Sequence, residues 1–129
     1  MNDPEILGFL ETYPELIQKI SLNLMNQVRE VVPDVQEQYY KGWKLIGYSA
    51  LQGKKDFYFS FVAPYQDHVD LGFEYGTMMN DHLGVLSGTG KQIKTIKCFK
   101  MEDTERPFLK DYILEALETA RMIRFGKED

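Results

Sequence analysis

Apolar positions at helical spacing open the chain. Asp3 before Pro4 is a helix-start signal, since Asp accepts from orphan amides and Pro tolerates the first turn, so a short helix is predicted over Pro4 to Glu11. Thr12, Tyr13, Pro14 and Glu15 then read as a capping box. Leu16, Ile17, Ile20, Leu24, Val28 and Val31 follow as one stripe, and Pro33 bounds the second helix.

From Val35 the period changes. Tyr39, Tyr40, Trp43, Ile46 and Tyr48 have strand composition, punctuated by Gly42, Gly47 and Gly53. Phe57, Phe59, Phe61 and Ala63 alternate with Tyr58, Ser60 and Val62, and Val69, Leu71 and Phe73 with His68, Asp70 and Gly72. The turn at Pro64 to Asp67 makes these two runs a hairpin. Glu74 to Lys91, with Gly76, Gly84, Gly88 and Gly90, reads as a long irregular connection. A last strand near Ile93 to Phe99 precedes a helix from about Pro107 that buries Leu109, Tyr112, Ile113, Ala116, Leu117 and Ala120 and stops at Gly126. Helices, then consecutive strands, then a helix predict an α+β domain: an antiparallel sheet of about five strands with N-terminal and C-terminal helices packed on it.

Composition narrows the class. The 129 residues suit one domain, and 43% hydrophobic with 27% charged residues is ordinary for a globular chain. The start has no basic segment leading into an apolar run, and no stretch approaches a membrane span, so a cytoplasmic protein is expected, with no membrane partner. Cys98 is the single cysteine, which excludes an intramolecular disulfide and four-cysteine zinc sites. A net charge of -5 argues against nucleic acid as a partner. The charge is uneven, however. Asp3, Glu5, Glu11, Glu15, Glu30, Asp34 and Glu37 face only Lys19 and Arg29 in the first 37 residues, whereas the charged residues of Lys91 to Lys100 are all basic.

The ordered set Gly47-Tyr48-Ser49, His68-Val69-Asp70-Leu71-Gly72-Phe73 and Gly84-Val85-Leu86-Ser87-Gly88-Thr89-Gly90-Lys91, continuing through Ile96-Lys97 to Glu102-Asp103, resembles the YdhG-like family of unknown function (YdhG/YdeI-type domain). The resemblance covers most of the chain. It implies a frataxin-like, helix-flanked sheet and a non-enzymatic role, with iron as cargo and iron-accepting proteins as partners, because one member is described as an iron chaperone. The chain has Met79-Asn80-Asp81-His82 where many relatives have a Leu-Pro-Asp-Pro-like turn, and Lys94-Thr95 where they often have Arg-His.

Under that resemblance, exposed carboxylates near the first helix and adjoining strand would hold iron, since hard oxygen ligands release it readily; Asp3, Glu5, Glu11, Glu15, Asp34 and Glu37 are the candidates. The plainer reading is solvated helix-face and capping charge. Gly88-Thr89-Gly90-Lys91 lacks the spacing and the following Ser or Thr of a phosphate loop. A gentler reading lets the amides of Gly88 and Gly90 with Lys91, Lys94 and Lys97 hold a small anion or an acidic partner segment; Tyr48, His68 and Asp70 join as ligand-contacting candidates. His68 and Asp70 share one side of a strand and equally read as a hydrogen-bonded pair. Cys98 as a nucleophile would need His68 or His82 beside it; the plain reading is a small core residue. Trp43, Tyr48, Phe57, Phe59, Phe61 and Phe73 read as sheet and core packing, with an aromatic ligand pocket as the alternative. A homodimer joined through a sheet edge is a further reading.

Overall fold

The computed structural model describes residues 3–126. Helix α1, Pro4–Leu10, starts where Oδ1 of Asp3 accepts the amide of Glu5 at 2.7 Å. Helix α2, Glu15–Val31, buries Ile17, Ile20, Leu24, Met25 and Val28 along one stripe. The expected capping box does not form. Pro14 stands at the N-cap without a side-chain bond, and the Thr12 hydroxyl donates backwards to the carbonyl of Phe9 at 2.7 Å. Thr12 therefore finishes α1 instead of starting α2.

Five strands follow in a meander of spatial order β1-β2-β3-β4-β5, antiparallel throughout: β1 Gln36–Tyr40, β2 Leu45–Gln52, β3 Lys55–Pro64, β4 Val69–Phe73 and β5 Lys94–Cys98. The connection between β4 and β5 holds a 3₁₀ turn, Gly76–Met78, and a bridge from Ser87 to Thr95 that extends the sheet beside β5. Helix α3, Phe108–Phe125, ends at Gly126, whose φ of 71° is a conformation that favours glycine. The helices and one face of the sheet share a single apolar cluster, from Leu24, Met25 and Ile113 to Tyr48, Leu71 and Phe73. Each such side chain contributes about 1.5–3 kcal/mol on burial. This is the α+β architecture expected. No helix among the described residues is long and apolar enough to cross a membrane.

The alternation expected along β3 is interrupted. Ser49 pairs with Tyr58 and Tyr48 with Ser60, so Phe59 is the extra residue of a β-bulge. Before the bulge Phe57 faces the helices; after it Ser60 and Val62 do, and Phe61 and Ala63 turn to the other face. Val62 belongs to the core cluster accordingly, and Phe61 and Ala63 lie outside it.

Candidate functional site

The face of the sheet opposite the helices is where the bulge sends Phe61. Its ring lies flat on the neighbouring strand: Gly72 pairs with Phe61, and a Cβ at position 72 would stand 2.0 Å from Cζ of that ring. Gly47 plays the same part on the other side of Phe61. A Cβ there would meet the rings of Tyr40 at 2.5 Å and Tyr58 at 2.6 Å, and those two rings stand edge to face with centroids 6.0 Å apart. Strand glycines permit this close approach, and rings lying over them restore the packing that a missing side chain forfeits.

The rings floor a basin of about 550 Å³ on this face, a volume typical of small-molecule sites, which span roughly 300–1,000 Å³. Leu45 and Ile93 line its flanks, and Trp43 and Tyr65 come from the turns. Trp43 is 79% exposed, an indole presented to solvent from the four-residue loop between β1 and β2. That loop closes through Trp43 N–H to the carbonyl of Tyr40 at 3.1 Å and through Lys44, a non-glycine residue at φ 57°. Tyr65 stacks on His68 with centroids 4.7 Å apart, and Tyr65 N–H donates to the His68 carbonyl at 2.8 Å, which fixes the β3–β4 turn.

Glu74 is the one charged residue among those lining the basin. Its N–H donates to the carbonyl of Phe59 at 3.0 Å, which seats it beside β3, and its Oε2 accepts the Gln92 amide at 3.0 Å. Burial holds its carboxyl above the ordinary carboxylate range, and the Gln92 bond offsets only part of that. Burial and the Glu74 charge together push the Tyr58 phenol far upward, so the hydroxyl stays protonated.

The acidic residues read as iron ligands are dispersed or already engaged. Asp3 caps α1, and Glu5 and Glu11 sit at the two ends of the same helix. Glu15 stands 3.6 Å from Lys19, and Asp34 is exposed in the turn before β1. Glu37 is held by the fork of Arg29, Nη2 to Oε1 at 2.7 Å and Nε to Oε2 at 2.9 Å, and also accepts the Tyr48 hydroxyl at 2.7 Å. Tyr48 is wholly buried, so this candidate ligand contact is a core residue anchored to Glu37. No cluster of three or more His, Cys, Asp or Glu side chains able to hold a metal occurs among the described residues.

The basic candidates do not converge either. Lys94 lies on the helix-facing side of β5 with Ile96, and Lys97 on the other, by strand alternation. Lys94 Nζ donates to the carbonyl of Gly88, and Lys97 Nζ to Oδ1 of Asp70 at 3.0 Å. Lys91 and Gly90 are exposed in the preceding loop, where the Lys91 carbonyl accepts the Thr77 hydroxyl at 3.0 Å. His68 and Asp70 do come together: Nε2 lies 3.3 Å from Oδ1 of Asp70, and Nδ1 2.7 Å from Oδ1 of Asp67. With Lys97 they form a paired surface network. Cys98 is fully buried, and burial pushes its thiol up to about 12, which makes it an inert core residue.

A larger cleft, about 870 Å³, runs between α2 and the start of α3. Its charges answer one another: Lys110 meets Glu30 at 2.7 Å and Arg106 meets Asp103 at 3.1 Å. The Gln27 amide donates to Asn23 and to the Thr104 carbonyl, at 2.9 and 2.6 Å. Its lining mixes these polar groups with Leu22, Met101 and Pro107, whereas the basin is lined by rings, aliphatic side chains and one half-buried carboxylate.

Trp43, read from the sequence as a packing residue, is instead 79% exposed at the wall of this basin, while Phe61 packs on the sheet over Gly72 and forms its floor. The available signal was a glycine within each of two strands, Gly47 and Gly72, beside aromatic-rich runs. Comparisons with protein-family models, with curated proteins and with solved structures each return no match to this chain. What stands is the architecture: a five-stranded antiparallel sheet, helices on one face, and an aromatic basin on the other.

Proposed function

We propose that this protein is a non-enzymatic binding module that takes a small organic ligand with an apolar or aromatic body on the helix-free face of its sheet. The observation that carries the reading is the layer of rings over Gly47 and Gly72, laid down in place of side chains and lining one basin with the exposed indole of Trp43. A large exposed aromatic surface is costly in water unless something covers it, and offset or edge-on ring contacts add about 0.5–1.5 kcal/mol each beyond burial. The iron-delivery role that the YdhG-like resemblance implies rests on the acidic N-terminal residues, and those residues share no metal cluster among the described ones. The basin is therefore the better-supported site.

Titration with p-cresol, a neutral planar probe, followed by amide and aromatic NMR shifts, tests the reading. Shifts concentrated on Tyr40, Trp43, Tyr58 and Phe61, and lost in Phe61→Ala, are expected. Shifts spread over α2 and α3, or none at millimolar probe, would overturn it.

A further inference from the structure

The basin combines two features that answer one kind of chemistry. Aromatic faces carry negative quadrupole potential and attract cations within about 6 Å, for roughly 0.5–2 kcal/mol per desolvated ring. Tyr40, Trp43, Tyr58 and Tyr65 supply such rings, and Glu74 supplies the only formal charge in the lining. Gln92 fixes one oxygen of that carboxylate and leaves the other without a hydrogen-bond partner among the described residues. The nearby lysines of β5 are committed elsewhere, Lys94 to Gly88 and Lys97 to Asp70.

A bare metal ion is a poor match, since hard cations demand several oxygen ligands and the basin offers a single carboxylate with phenol hydroxyls. A primary ammonium is strongly hydrated and would lose more water than one carboxylate restores. An alkylated ammonium has weak hydration and an apolar surface, so rings and carboxylate both favour it. We propose that the ligand of this basin carries an alkylated ammonium group, seated among Tyr40, Trp43 and Tyr58 and neutralised by Glu74. This rests on the binding-module reading above and specifies its ligand class.

The experiment uses the full chain, with Trp43, its single tryptophan, as the fluorescent reporter. Choline is compared with 3,3-dimethylbutan-1-ol, the neutral carbon isostere of the same shape. Choline is expected to bind at least about tenfold more tightly, the equivalent of one good cation–π contact with a charge partner. Glu74→Gln, of equal size, should erase that preference. A peptide carrying trimethyllysine separates the sources. Tighter binding than choline indicates a modified side chain as the natural ligand, and equal binding indicates a free small cation. Equal affinities for choline and its isostere, or a preference that survives Glu74→Gln, would overturn the cation assignment while leaving p-cresol binding intact. Failure of p-cresol, choline and isostere alike would overturn the module itself.

Discussion

The ring of Phe61 lies over Gly72 across the β3–β4 pair, where any β-carbon would collide with it at 2.0 Å. The relationship depends on the bulge at Phe59, which turns Phe61 away from the helices, and on the absence of a side chain at position 72.

Gly72→Ala should therefore lift the Phe61 ring into the basin with little disturbance to the apolar cluster on the other face. The cost of such overpacking is about 1–3 kcal/mol. Thermal unfolding checks the stability, and p-cresol affinity should fall by more than the modest destabilisation implies. Unaltered binding would show that the ring's position does not shape the site.

Glu37 joins the Arg29 fork and the buried Tyr48 hydroxyl, tying α2 to β1 and β2. Removing it leaves the buried Tyr48 hydroxyl without its acceptor and takes the carboxylate partner from Arg29. Glu37→Ala should lose about 2–4 kcal/mol in denaturant unfolding. Tyr48→Phe keeps the ion pair and should lose only about 1 kcal/mol.

Glu74 is expected to oppose folding when charged. Its folded pKa lies above the ordinary value, so the folded state binds the proton more tightly than the unfolded one. The favourable term is fully present below the unfolded pKa and is lost as pH rises through the folded pKa. Glu74→Gln should accordingly melt at a higher temperature than the parent at pH 7, and the gap should close by pH 3. A lower melting temperature at pH 7 would show the carboxylate to be stabilising.

Asp81 behaves in the opposite sense. Burial raises its carboxyl, but the Tyr112 hydroxyl at 2.6 Å and the amides of Val85 and Leu86 at 2.9 and 3.0 Å outweigh that and hold it below the usual range. Its contribution is present above the unfolded pKa and lost as pH falls through the folded one. Asp81→Ala should cost about 1–2 kcal/mol at pH 7 by releasing the loop after the 3₁₀ turn. The difference from the parent should shrink in acid, as read by urea unfolding at both pH values.

The helices were legible because Leu24, Val28, Ile113 and Ala116 repeat at a period that only a helix satisfies, and the strand count followed from clean turns such as Pro64 to Asp67. The basin was not. Phe57 to Ala63 reads as unbroken alternation, and a bulge that shifts the pairing by one residue leaves no mark in such a run of aromatics. The acidic excess before residue 38 was visible, but its pairing was not: Arg29 reaches Glu37 and Lys110 reaches Glu30 across elements that only the fold brings together. Lys94 and Lys97 are three apart on a strand, a spacing that places them on opposite faces.

Intermolecular NOEs between p-cresol and the protein show on which face the ligand is held. Contacts from the probe to the rings of Trp43, Tyr58 and Phe61, on the sheet face opposite the helices, are expected. Contacts to the cleft residues Asn26, Gln27 and Arg106 in their place would place the ligand between α2 and α3 and overturn the basin as its site.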